Sequence, residues 1–153
     1  LAAEHPTLRV GILDLAAVEP QARTRIDAAG LGDRVSFIAG DFLERPLPEG
    51  WSTMLLHRVL WDWPDEPALV LLGRIRDALP PGGRVLVVEG MWSGDPTVDR
   101  VLNAFHLYMC LGGFRLRSKA EVKALLIRAG FGDVQEIPVL PIFMPMVIGT
   151  RIG

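Results

Sequence analysis

The chain has 153 residues, 50% of them hydrophobic and 22% charged, which is enough apolar material for one globular domain with a buried core and too much for a disordered segment. Its formal net charge of −2 comes without any Lys/Arg-rich block, so neither nucleic acid nor an anionic membrane is an expected partner. A single cysteine, Cys110, excludes an internal disulfide and leaves no second thiol for a structural zinc site; no metal is expected, and a reducing, cytoplasmic setting fits.

In chain order, residues 8–15 form a short apolar run closed by Asp14, and residues 18–29 predict a helix stopped by Gly30. Residues 35–39 are a second buried strand, ended by Gly40-Asp41. Residues 54–56 with their flanks are a third, preceded by the turn Pro48-Glu49-Gly50. Asp65 is placed to cap a helix running through Leu79, with Leu69, Leu72, Ile75 and Leu79 as its apolar stripe, and Pro80-Pro81-Gly82-Gly83 stops it. Residues 84–89 follow as a strand. Residues 99–111 predict a helix with Leu102, Phe105 and Met109 along one side, ending at Gly112-Gly113. Ser118 to Glu121 is an S-x-x-E capping box that opens a helix through Ala129, and Gly130 ends it. Two closing strands, 134–140 and 144–152, are expected as a hairpin joined around Pro141. The nearly apolar stretch 138–150 carries three prolines and is shorter than the roughly 20 residues a spanning helix needs, so no transmembrane segment is expected. Short buried strands alternating with helices predict an α/β sheet with helices on both faces. No repeat or linker divides the chain, so a single unit is expected.

Three motifs stand in order: Ile12-Leu13-Asp14, Gly40-Asp41-Phe42, and Leu79-Pro-Pro-Gly-Gly-Arg-Val-Leu-Val-Val-Glu89. Together they resemble the Rossmann-like S-adenosylmethionine-dependent methyltransferases. Within that superfamily, Arg58-Val-Leu-Trp-Asp-Trp-Pro-Asp-Glu66 is similar to the signature of small-molecule O-methyltransferases, the plant caffeic-acid type and its bacterial antibiotic-tailoring relatives. Gly112-Gly113, Arg117-Ser118 and Ala129-Gly130-Phe131 resemble further segments of the same family.

An acid at the end of a strand in a nucleotide-binding sheet points at the ribose and accepts from its hydroxyls, which gives Asp14 a physical reason to matter. The resemblance implies S-adenosylmethionine as cofactor, with Asp14 and the adjoining Leu15 at the ribose, Asp41 on the adenine amino group and Phe42 against the ring. Asp41 also reads as an ordinary turn aspartate, and Phe42 as core. His57 aligns with a position that can touch the adenosine; a packed strand-end histidine is the alternative. Arg58 reads as a holder of loop structure through its fork of donors.

For the acceptor, the resemblance implies a pocket at Trp61, Asp62, Phe105 and Met109, with Trp63 in the same aromatic cluster. Trp61 stands where the plant enzymes carry a histidine that removes the phenol proton, and an indole has no basic nitrogen. Of the two carboxylates that flank that histidine, Glu89 is retained, and the other matches Leu116. Glu89 and His106 are the catalytic candidates, although His106 reads equally as a partly exposed helix histidine. The implied reaction is methyl transfer to a hydroxyl of an aromatic or polyketide-like small molecule, driven by proximity and orientation, which can supply roughly 7–11 kcal/mol of a barrier. Alternatives are altered chemistry on the same fold, such as hydroxylation or decarboxylation, a nicotinamide dehydrogenase, and a non-catalytic binding module; the Asp-Phe pair after Gly40 separates the dehydrogenase.

No glycine-rich loop precedes Val10, and the sequence begins at Leu1 without a Met. The expectation is therefore a partial C-terminal catalytic domain over residues 1–153, lacking the first strand, the glycine loop and the N-terminal dimerisation domain of its relatives. The full-length form is expected to be a homodimer. A central strand missing between 10–13 and 54–56 would leave two hydrophobic strand edges.

Overall fold

The computed structural model describes residues 1–109, 116–137 and 144–153, the first segment with side chains through Ala104. Residues Leu1–Pro46 and Leu47–Gly153 form two compact units.

In the first unit, β1 (Val10–Asp14) and β2 (Val35–Ala39) pair in parallel, with Val10 opposite Val35 and Asp14 opposite Ala39. Parallel neighbours require a crossover, and α1 (Glu19–Ala28) supplies it. The helix starts one residue later than the sequence reading, because Ala16–Val18 form a 3-10 turn. Pro20 then occupies the first turn of α1, where a missing N–H leaves no bond unmade. Ala2, Ile26 and Val35 make the small core of this unit, with Val10 and Leu31 packed on it. The Arg34 guanidinium donates to the carbonyls of Ala2 (2.9 Å), His5 (3.1 Å) and Leu8 (3.2 Å), tying the opening segment to the start of β2.

The second unit holds a four-stranded sheet. β3 (Thr53–His57) and β4 (Arg84–Val88) run parallel. β5 (Phe131–Ile137) and β6 (Met146–Arg151) are antiparallel, and the spatial order is β3-β4-β6-β5. The crossover from β3 to β4 is α2 (Asp65–Ala78); α3 (Pro96–Met109) follows β4, and α4 (Lys119–Arg128) precedes β5. The core gathers Val85 and Val87 of β4, Val147 of β6, Ala68, Leu71, Leu72 and Ile75 of α2, and Val122, Leu125 and Leu126 of α4. The buried stripe of α2 is thus turned slightly from the expected one: Leu71 is buried and Leu69 is half-buried.

Local signals act where they were expected. Ser118 caps α4 reciprocally with Glu121. Gly82 adopts φ 77 in the turn before β4, a conformation that strains any residue with a Cβ. Asp65 departs from expectation: Pro64 holds the cap position of α2 and no side chain caps it, since the Asp65 carboxylate accepts from Arg117 instead. β5 also begins three residues before the expected Val134, immediately after Gly130. A register irregularity between Gly132 and Gln135, with Asp133 at φ 44, interrupts the alternation that marks a strand in sequence. The turn expected at Pro141 lies outside the described residues.

Candidate active site

In the first unit, the carboxyl ends of β1 and β2 lie side by side: Asp14 pairs with Ala39 in register, and the Gly40 N–H donates to the Asp14 carbonyl at 2.9 Å. Asp14 and Asp41 therefore emerge at the same end of a parallel pair, where open α/β sheets bind ligands. One oxygen of the exposed Asp14 carboxylate accepts from the Leu15 N–H at 2.7 Å. Asp14 does not cap α1. Asp41 Oδ1 accepts the Leu43 N–H at 2.8 Å, the turn-forming bond its residue type favours, and Phe42 beside it is half-buried. These residues fit the adenosine half of a nucleoside cofactor, because two carboxylates at neighbouring strand ends match hydroxyl and amino donors.

In the second unit, β3 ends at the exposed His57, and the chain turns at Arg58 and Val59 into a 3-10 segment, Leu60–Asp62. The packed alternative for His57 is not what the structure has. Two buried charged side chains hold this segment. Glu89, just past β4 and 1% exposed, accepts the Trp61 N–H at 3.0 Å. Arg117, also 1% exposed, donates Nη1 to the Leu60 carbonyl (3.1 Å) and Nη2 to the Trp63 carbonyl (2.7 Å) and to Asp65 Oδ1 (2.8 Å). Burial raises the Glu89 carboxyl to about 7, with the Trp61 N–H and the Arg117 charge pulling the other way. Sequence reasoning passed over Arg117 as a site residue; its only signal was its place in the segment after Gly112-Gly113.

The Trp61 indole, 4% exposed, packs with Leu102 and Leu116, and Trp92 and Val98 join this cluster. It walls a cavity of about 470 Å³, which Arg58, Gly90, Val98, Val101 and Leu102 also line. Gly90 is required here by space: a Cβ would come within 2.9 Å of the Trp61 ring and 3.0 Å of Leu102. The Arg58 guanidinium carbon stands 5.3 Å from the Trp61 ring centroid. Asp62 is exposed at the end of the turn. Glu89, Trp61 and Asp62 are thus brought together. Phe105, His106 and Met109 belong to α3, but their side chains lie outside the described part.

These observations meet known proteins at one point. Residues 1–132 match the model of the O-methyltransferase domain, and the chain belongs to that family. It is 37% identical over 137 residues to demethylspheroidene O-methyltransferase of Cereibacter sphaeroides, covering 88% of this chain and 36% of that protein. It is likewise 37% identical over 139 residues to aclacinomycin 10-hydroxylase RdmB of Streptomyces purpurascens, covering 89% and 37%. Among solved structures, the apo form of the S-adenosylmethionine-dependent methyltransferase SibL superposes with a TM-score of 0.88 at 32% identity, covering 100% of this chain and 46% of that one. The chain thus spans a little over a third of these two relatives' length and under half of the SibL chain. The expected Rossmann-like methyltransferase fold is what the structure has.

Proposed function

We propose that this chain is a partial C-terminal catalytic domain of an S-adenosylmethionine-dependent O-methyltransferase, acting on a hydroxyl of an aromatic or polyketide-like small molecule. The observation that carries the reading is the pair of carboxylates, Asp14 and Asp41, at one end of the parallel β1–β2 pair. When bound, S-adenosylmethionine supplies a methyl group activated on a sulfonium sulfur. Asp14, with Leu15 beside it, receives the ribose, and Asp41 and Phe42 receive the adenine; His57 is a cofactor candidate on the family resemblance alone. The acceptor ring rests in the cavity against Trp61, near Asp62, Phe105 and Met109. Trp61 takes no proton, so the hydroxyl is positioned rather than deprotonated by that residue. Glu89 acts here by holding the Trp61 backbone, and His106 remains the candidate base. On the family resemblance the full-length protein is read as a homodimer, and one cysteine fits a reducing, cytoplasmic setting.

Asp14→Ala in the intact protein removes a charged acceptor and is expected to weaken cofactor binding by about 1.5–3 kcal/mol. Calorimetry that found unchanged affinity would sink the assignment. A second reading, altered chemistry on the same fold, is favoured by the indole at Trp61 and by likeness to a protein named a hydroxylase. Product analysis with cofactor and phenolic acceptors separates the two.

A further inference from the structure

Trp61 sits in a single turn of 3-10 helix, Leu60–Asp62, a form whose hydrogen bonds have poor geometry. The turn's own bonds are long: the Asp62 N–H reaches the Val59 carbonyl at 3.2 Å and the Trp63 N–H reaches the Leu60 carbonyl at 3.3 Å. Such bonds hold weakly, so partners outside the turn decide where the indole points. The entrance is fixed at Arg58, which adopts φ 59 with its N–H on the Val88 carbonyl at 2.9 Å. Glu89 holds the Trp61 N–H, and Arg117 holds the carbonyls of Leu60 and Trp63.

The segment that carries Arg117 meets the same wall in two further ways. Leu116 packs with Trp61 and Leu102. The Arg117 carbonyl accepts the Trp92 N–H at 2.9 Å, beside a parallel bridge between Trp92 and Ser118, and Trp92 packs on that cluster. Ser118 is in turn the reciprocal cap of α4, whose Val122, Leu125 and Leu126 are buried. Three consecutive residues therefore tie the cavity wall to a helix seated in the core. Arg117 is itself buried and does not line the cavity, so its effect on a ligand passes through Trp61 and Trp92. Its planar fork of donors is rigid, and it holds its acceptors in one fixed arrangement.

We propose that Arg117 is a positioning residue for the acceptor: from outside the cavity it fixes the Trp61 indole on which the acceptor ring rests. This inference rests on reading the cavity as the acceptor pocket, and it adds the residue that sets the pocket's geometry. A group misplaced by about 1 Å can cost about a hundred-fold in rate, so a loosened wall is felt by the acceptor.

The test uses the intact protein labelled with 5-fluorotryptophan and read by fluorine NMR, with binding of 2-naphthol, a neutral two-ring phenol, measured by calorimetry. The Trp61 signal is assigned by its loss in Trp61→Leu. Trp51, which precedes β3 and lies outside the Trp61 cluster, reports whether each variant is folded. In Arg117→Met the Trp61 and Trp92 signals are expected to shift or split while Trp51 stays native-like, and 2-naphthol binding is expected to weaken about ten-fold. Asp65→Asn removes only the anion that pairs with Arg117 and is expected to do the same more mildly, by about two- to five-fold. Should Arg117→Met fail to fold, Asp65→Asn decides by the same criteria. A native Trp61 signal in the folded variants, or a shifted signal with unchanged affinity, overturns the proposal. If Trp61→Leu weakens 2-naphthol binding and the Arg117 and Asp65 variants do not, the acceptor pocket stands and the positioning role falls. If the native protein and Trp61→Leu bind 2-naphthol equally, or neither binds it, the acceptor-pocket reading falls and the proposal with it.

Discussion

The Trp61 N–H donates to Glu89 Oε2 across 3.0 Å, and this bond joins the end of β4 to the turn that walls the cavity. Because Glu89 is buried, its carboxyl is raised from 4.5 to about 7. Between those values the folded protein holds a proton that the unfolded chain releases. Stability is therefore greatest below about pH 4.5, as far as this group contributes, and falls as pH rises through 7, by on the order of 3 kcal/mol in all. Urea unfolding between about pH 5 and about pH 8 should show this slope. Glu89→Gln should flatten it; an unchanged slope would locate the titration elsewhere.

Arg117 closes the same turn from the carbonyl side, at Leu60 and Trp63, and pairs with Asp65. Arg117→Met strips all three acceptors of a buried donor and is expected to cost about 3–5 kcal/mol. Arg117→Lys should recover little, since one ammonium cannot span three separated acceptors. Denaturant midpoints measure both, and a loss below about 1 kcal/mol in the Met variant would contradict the clamp.

Trp61 and Gly90 set the shape of the cavity, which the proposed function reads as the acceptor pocket. Gly90→Ala forces the indole or Leu102 to move, with a stability loss of about 1–3 kcal/mol from overpacking and a larger rise in acceptor KM than fall in kcat. Trp61→His should leave measurable turnover, and in the native protein the pH-rate profile should follow the acceptor's own ionisation. A profile that stayed fixed across acceptors of different acidity would identify an enzyme base such as His106.

Among the described residues, β1 has β2 as its one strand partner and β3 has β4. Each presents an unpaired edge, with Ile12 36% and Leu55 44% exposed. Such edges recruit further strands. The 153-residue chain expressed alone is expected to sediment as oligomers, and Leu55→Lys should reduce the association. A sharp monomer boundary for the native chain, with cooperative unfolding, would refute this.

What the sequence by itself determined is whatever depends on a few neighbouring residues. The capping box at Ser118 and Glu121, the Pro80–Gly83 stop and the strands read at 35–39 and 84–89 were legible because cap, turn and apolar patterning are local properties. The candidate residues Asp14, Asp41, Trp61 and Glu89 could be named because short motifs around them resemble those of a known family, and such motifs are local too. Tertiary structure alone decided their circumstances. Glu89 sits near neutrality because folding buries it under a turn 28 residues away. Asp65 gave up capping for Arg117, 52 residues on, because a buried guanidinium without an anion would cost more than an uncapped helix start. The left-handed backbone of Arg58 and the close approach at Gly90 follow from the meeting of β3, β4 and α3. Burial and long-range pairing are energies between distant segments, and no window of sequence contains both partners.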